Sequence, residues 1–330
     1  MKLVLIFICI NFHVNSLSIQ SVGASNNFNA IEINKLLKQE KKELNKLNAE
    51  IKKQKNLFFV NGQLLSAKKN FGIKELKQIF VNLPNDLDIK KIEFSTSNTF
   101  SFNISKNFKF DNFKVETIID LKQLIFNEKD FELNLYLPSF VEEIKFTEHK
   151  IIINYDKNKF DIKGEGNILL EDKLDSLSYQ IKKNNTNLSF DSNINLKNNS
   201  LLIDFLDYEK KEGLNSLISI QGNFTKNNKL QFDLINLKEK NNEILIKGLD
   251  FSKNYKIIDI ENFKINYENN KKILNNLSLK KENSNFIIVG QSFDASRIIN
   301  NIIDSDDDSS SIFENLNSKI DIKIKRTYIN

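Results

Sequence analysis

Residues 188–196, LSFDSNINL, and 218–224, ISIQGNF, decide the fold class. In the first, Leu188, Phe190, Ile194 and Leu196 stand at two-residue spacings, with Ser192 as a polar interruption; in the second, Ile218, Ile220, Gly222 and Phe224 do the same. Side chains of a strand point alternately to opposite faces, so this period gives one apolar and one polar face, the mark of an antiparallel sheet. The period of two recurs from about residue 89 onward, in FELNLYL (131–137) through Phe131, Leu133, Leu135 and Leu137, and in SKIDIKIKR (318–326) through Ile320, Ile322 and Ile324. Asn-Asn pairs begin, among other places, at 184, 198, 227, 241 and 269 in a chain with nine glycines. Asparagine tolerates positive φ, so these pairs are read as hairpin turns in place of Asn-Gly. The expectation is a mainly β protein, an extended antiparallel meander of strands of about ten residues with their turns.

Helices are expected at three places. Over 29–56, Ile33, Leu37, Leu44, Leu47 and Ile51 follow coiled-coil spacing, broken by Glu40, which makes 25–56 an amphipathic helix able to pair with a partner helix. Ile73, Leu76, Ile79 and Phe80 share one helical face, and Pro84 disfavours helix at Leu83. In FIIVGQSFDASRIINNI (286–302) a short apolar strand and Gly290 lead into a third helix, near 295–303. Gly290 stands without the further glycines or Lys-Ser/Thr pair of a phosphate cradle, so no nucleotide site is read there.

The N-terminus has the layout of a secretory signal: Lys2, an apolar run from Leu3 to Ile10, and Val22-Gly23-Ala24. Residues 1–24 are therefore expected to be a signal peptide or weak membrane anchor, and 57–330 the β-rich body. Cys9 lies inside that run, so the remainder offers neither disulfide nor thiol chemistry.

The 48 basic and 43 acidic residues are interspersed, with arginine at positions 297 and 326, a poor composition for reading nucleic acid. His149 is the one histidine beyond the N-terminal segment, too few for a zinc site or a triad, and is expected to be a satisfied or exposed histidine. Asp304, Asp306 and Asp308 mimic part of a calcium loop, but Ser309 and Asn315 stand where glycine and glutamate are needed, which leaves an acidic linker. The expectation is a non-enzymatic protein without cofactor or metal.

The apolar strand with GQSFDASRIINNI, the acidic spacer and SKIDIKIKR, together with FFVNGQLLSAKKNFGIKELKQIFVNLP upstream, resembles AsmA-like envelope proteins, particularly the YhdP branch, over about residues 57–330. The chain is shorter than members of that family and its N-terminus is a weak anchor, which implies a partial chain. The resemblance implies a curved, taco-like β-groove, a periplasmic place tethered at the inner membrane, and transport of phospholipid toward the outer membrane. Phe190, Ile194, Ile218, Ile220 and Phe224 would line the groove and contact acyl chains. Gly290, Phe293, Asp294, Ile298 and Ile302 would form a structural strand-to-helix junction, with Gly290 allowing a sharp exit and Asp294 capping the helix. An acyl chain of about 16 methylenes gains about 12 kcal/mol on leaving water, in a groove as in a bilayer, so lipid could pass rather than be trapped. The alternative from the residues alone is an exported structural or adhesive β-protein closed on an ordinary packed core.

Overall fold

The computed structural model of the chain describes residues 46–54, 57–71, 88–107, 109–128, 133–140, 142–157, 159–184, 187–224, 230–252, 257–282, 285–304 and 319–329. The signal segment 1–24, the first part of the heptad region, the helix expected at 73–80 and the calcium-loop mimic beyond Asp304 lie outside them. The chain forms two compact units, the first comprising Met1–Glu128, Glu143–Ile168 and Ile181–Asn185, the second Lys129–Glu142, Leu169–Gln180 and Thr186–Asn330.

The first unit is built from β1 (Lys46–Gln54), β2 (Leu57–Phe71), β3 (Asp88–Ser105), β4 (Phe110–Asn127), β5 (Glu143–Asp156) and most of β6 (Lys159–Leu170). Strands β1 to β5 pair antiparallel in chain order. Strand β1 corrects the described part of the helix expected over 29–56, Lys46–Gln54. Leu47 and Ile51, four apart, share a face of either a helix or a strand; Ala49 between them completes a period of two, and Ile51 pairs with Val60 of β2. At 18 residues each, β3 and β4 also exceed the expected length.

Their inward faces make a dry core. Ile92 opposes Leu124, and Ile119 opposes Ile151, all four with 0% exposure. Phe126 and Phe146 stack with ring centroids 5.8 Å apart. The buried polar residues of this face are satisfied by each other: Thr117 Oγ1 donates to Asn98 Oδ1 at 2.7 Å, and Asn98 Nδ2 donates to the Leu64 carbonyl at 3.3 Å.

His149 lies opposite Leu121 in this core and is buried. Its Nε2–H donates to the Asn167 carbonyl at 2.8 Å, and Gly166 gives it room: a Cβ there would come within 2.6 Å of the His149 Cα. Burial pushes the imidazole below its ordinary value of 6.5, although the bond to Asn167 acts the other way. The folded state therefore favours neutral His149, and the unfolded chain takes up the proton more readily as pH falls below about 6.5. Stability contributed by this group is full above that pH and declines beneath it, by at most about 1.4 kcal/mol per pH unit. Between pH 7.5 and 5.5 the melting temperature should fall more steeply for the native chain than for His149→Gln; parallel curves would contradict this.

The second unit holds most of β7 (Lys173–Asn184), then β8 (Asn187–Leu196), β9 (Leu201–Ile203), β10 (Tyr208–Lys210), β11 (Ser216–Phe224), β12 (Leu230–Glu239), β13 (Asn242–Phe251), β14 (Ile257–Glu268), β15 (Leu274–Glu282), β16 (Asn285–Asp294), helix α1 (Ser296–Asp304), β17 (Ile320–Ile324) and β18 (Thr327–Tyr328). Within this unit β7, β8 and β11 to β16 neighbour one another in chain order, while β9 and β10 form a separate pair and β11 therefore lies beside β8. The expected meander is thus present. Its last members depart from it, because β17 and β18 pair parallel to β16, as the crossover through α1 allows.

Two local expectations are corrected. FELNLYL is not a strand where it is described: Leu133–Leu135 is a 3₁₀ turn, in which Tyr136 and Leu137 both donate their N–H to the Leu133 carbonyl. Pro138 follows and has no N–H to continue a ladder, so a local turn satisfies the backbone instead. The Asn-Asn pair at 269 falls between β14 and β15 and the pair at 241 leads into β13, but the positive φ is carried by Lys240 (52°) and Lys272 (64°). The asparagines act through side chains: Asn269 Oδ1 accepts from the N–H groups of Lys271 at 3.1 Å and Ile273 at 2.9 Å.

Candidate functional site

Alternation places one apolar face on every long strand of the second unit, and the register joins those faces into rows. Ile220 opposes Ile235, Ile235 opposes Ile246, Ile246 opposes Phe263, Phe263 opposes Leu279, Leu279 opposes Ile288, and Ile288 opposes Ile322. From Ile220 to Ile288 each side chain of this row is half-buried, and Ile322 is 63% exposed. Beside it runs a second row, Ile194–Ile218–Leu237–Ile244–Ile265–Leu277, whose members from Leu237 onward are buried. The pair makes a strip with a closed flank and an open row. At about 4.8 Å per strand, the open row from β11 to β17 extends about 29 Å.

The five expected lining residues come together at one end of this strip. Ile194 opposes Ile218 directly, and Phe190 opposes Gly222. The Phe190 ring lies 5.9 Å from Phe224 and 5.7 Å from Phe232, which in turn lies 5.7 Å from Phe251. Gly222 is required by this cluster, since a Cβ there would stand 2.6 Å from Phe190 Cζ and 2.4 Å from the Gln231 carbonyl. All five lining residues are half-buried. Sequence reasoning missed Ile235, Ile246, Phe263, Leu279 and Ile288. Their alternation is visible in isolation, but register slips at Gln221/Gly222, Asp250/Phe251 and Asn276/Leu277 hide which faces join.

At the junction, Asp294 accepts from the first helical N–H, that of Ser296, at 3.1 Å. It also accepts from Asn269 Nδ2 at 3.0 Å and pairs with Lys271 at 3.4 Å. Burial opposes its charge, but the Ser296 bonds, the Lys271 ammonium and Asn269 together outweigh it and hold the carboxyl below the ordinary carboxylate range. Phe293 is buried and Ile298 half-buried; Ile302 lies in α1 beyond the described side chains. Gly290 does not turn the chain out of the strand. It lies inside β16 opposite Leu277, where a Cβ would meet Leu277 Cδ2 at 2.4 Å, so glycine serves the close approach at a bulge.

A second buried cluster has the look of chemistry but is occupied in holding backbone. Lys210, with 0% exposure, donates from Nζ to the carbonyls of Lys197 at 2.9 Å and Asn199 at 2.5 Å. Burial lowers its pKa, with Asp175 and Glu239 opposing. Tyr208 donates to Glu239 Oε2 at 2.7 Å and packs edge-on to Tyr267 at 5.2 Å, while Tyr267 donates to the Leu206 carbonyl. Among the described residues no group of three His, Cys, Asp or Glu is arranged to hold a metal, and no helix is long and apolar enough to cross a membrane. No family model, curated protein or solved structure matches the chain.

Proposed function

We propose that this chain is a non-enzymatic AsmA-like envelope protein whose apolar strip carries phospholipid acyl chains between inner and outer membranes. The observation that carries this reading is the open row from Ile220 to Ile288, continuous in register and half-buried throughout. A packed interior buries such side chains fully, as the first unit does with Ile119 and Ile151. A row of about 24 Å accommodates an extended acyl chain, and with no polar side chain among its members it favours movement along the row over tight capture. On this reading the chain works in the periplasm, tethered at the inner membrane, and needs no cofactor.

The first unit's dry core favours the other reading, an exported structural or adhesive β-protein. Lipid extraction separates the two. Protein purified from envelopes should carry phospholipid detectable by mass spectrometry, and Ile246→Asp should lose most of it, because an unpaired carboxylate in the row disfavours acyl contact. Equal lipid content in both, or none in either, would support the structural reading.

A further inference from the structure

One end of the first unit has a separate character. The β1–β2, β3–β4 and β5–β6 hairpins turn at the same end, because Gln54 opposes Leu57, Leu57 opposes Ser105, Ile104 opposes Phe110, and Lys114 opposes Asp156. Around these turns Lys53, Lys106, Lys109, Lys157, Lys159 and Lys183 are exposed. The carboxylates among them are few: Asp111, Asp161 and Asp156, the last tied to Lys114 at 2.9 Å. Among the described residues the opposite ends of the same strands carry paired charges, with Lys90 and Lys145 bridging Glu143 at 2.7 and 3.2 Å and Lys91 near Glu93 at 3.9 Å. Among the described residues the lysine excess therefore lies at this end.

The same end exposes apolar side chains. Leu57 is 38% and Phe110 39% exposed. Phe110 is held from behind by Phe102 at 5.6 Å, and Phe102 by Phe113 at 6.2 Å, with Tyr155 edge-on to Phe113 at 5.9 Å. Lys53 and Lys183 sit over the rings of Phe58 and Phe160, at 6.0 and 5.8 Å. Lysines with aromatic and aliphatic tips suit a surface that is anionic outside and apolar beneath. Nucleic acid would find neither arginine nor a use for exposed leucine at this end.

We propose that this hairpin end docks onto an anionic phospholipid surface, with the lysines at headgroup level and Leu57 and Phe110 at the acyl boundary. The assignment rests on the first unit alone and stands whether or not the strip of the second unit carries lipid. The chain contains no tryptophan, so Phe110→Trp in the full chain gives a single probe. Its emission should move to shorter wavelength with phosphatidylglycerol-containing vesicles and stay put with pure phosphatidylcholine. Each lysine near such a surface is worth about fivefold in partitioning, so Lys106→Gln, Lys109→Gln and Lys159→Gln combined should weaken vesicle binding about a hundredfold at low salt. All three side chains are exposed, so an unchanged melting curve is the control for folding. Lys247→Gln, at an exposed lysine of β13 in the second unit, should bind vesicles like the native chain, which ties the loss to this end. An unmoved emission with anionic vesicles, or undiminished binding by the triple variant, would overturn the proposal. So would a single-stranded oligonucleotide that shifts the tryptophan as far as the vesicles do.

Discussion

Asp175→Ala should destabilise the protein by about 3–5 kcal/mol, read as a lower midpoint in urea unfolding. Asp175 is 3% exposed and accepts four hydrogen bonds. Its Oδ1 takes the N–H groups of Lys197 and Asn198 at 2.7 and 2.8 Å, and its Oδ2 takes the N–H and side-chain amide of Asn199 at 3.2 and 2.7 Å. Alanine leaves these donors without their acceptor in a part of the fold where Asn199 has 0% exposure. It also removes the carboxylate that favours the charged form of buried Lys210. The loop so held leads from β8 into the β9–β10 pair, which gives the loss its leverage. Asp175→Asn keeps the shape and can still accept, so it should cost distinctly less. A loss under about 1 kcal/mol for alanine would show that water replaces the carboxylate there.

The alternation that announced the sheet was legible because period two has a direct physical cause: residues two apart share a face. It failed where two periods coincide. Leu47 and Ile51 satisfy both a heptad and a strand, and pairing with β2 decided the matter. Neither the parallel pairing of β17 nor the burial of Lys210 leaves a local trace, since each depends on which distant segment lies alongside. The asparagine-rich turns were placed correctly at 241 and 269, yet their mechanism was misread. Side-chain acceptance by Asn269 does the local work there, while neighbouring lysines adopt the left-handed backbone. As for the strip, its two ends could be read from LSFDSNINL and ISIQGNF, but its course across β12 to β17 could not, because each bulge shifts the faces by one residue.

The contrast between the units gives the second large effect. Ile119 is wholly buried opposite Ile151, so Ile119→Asp places an unpaired carboxylate in a dry core and should cost at least about 4 kcal/mol, enough to unfold a protein of ordinary stability. Ile220 is half-buried in the open row, and Ile220→Asp can turn its carboxylate to water. There the cost should be about 1–2 kcal/mol, leaving a cooperative melt. Equal collapse of both variants would mean that the second unit's row is a closed core.

The most direct measurement is photo-crosslinking in cells from a light-activated residue at position 220. An open acyl-carrying row predicts covalent phospholipid adducts at 220 and none at 119, with the 220 adduct lost when Ile246→Asp interrupts the same row. Adducts only to protein at position 220, in a chain that melts normally, would contradict it.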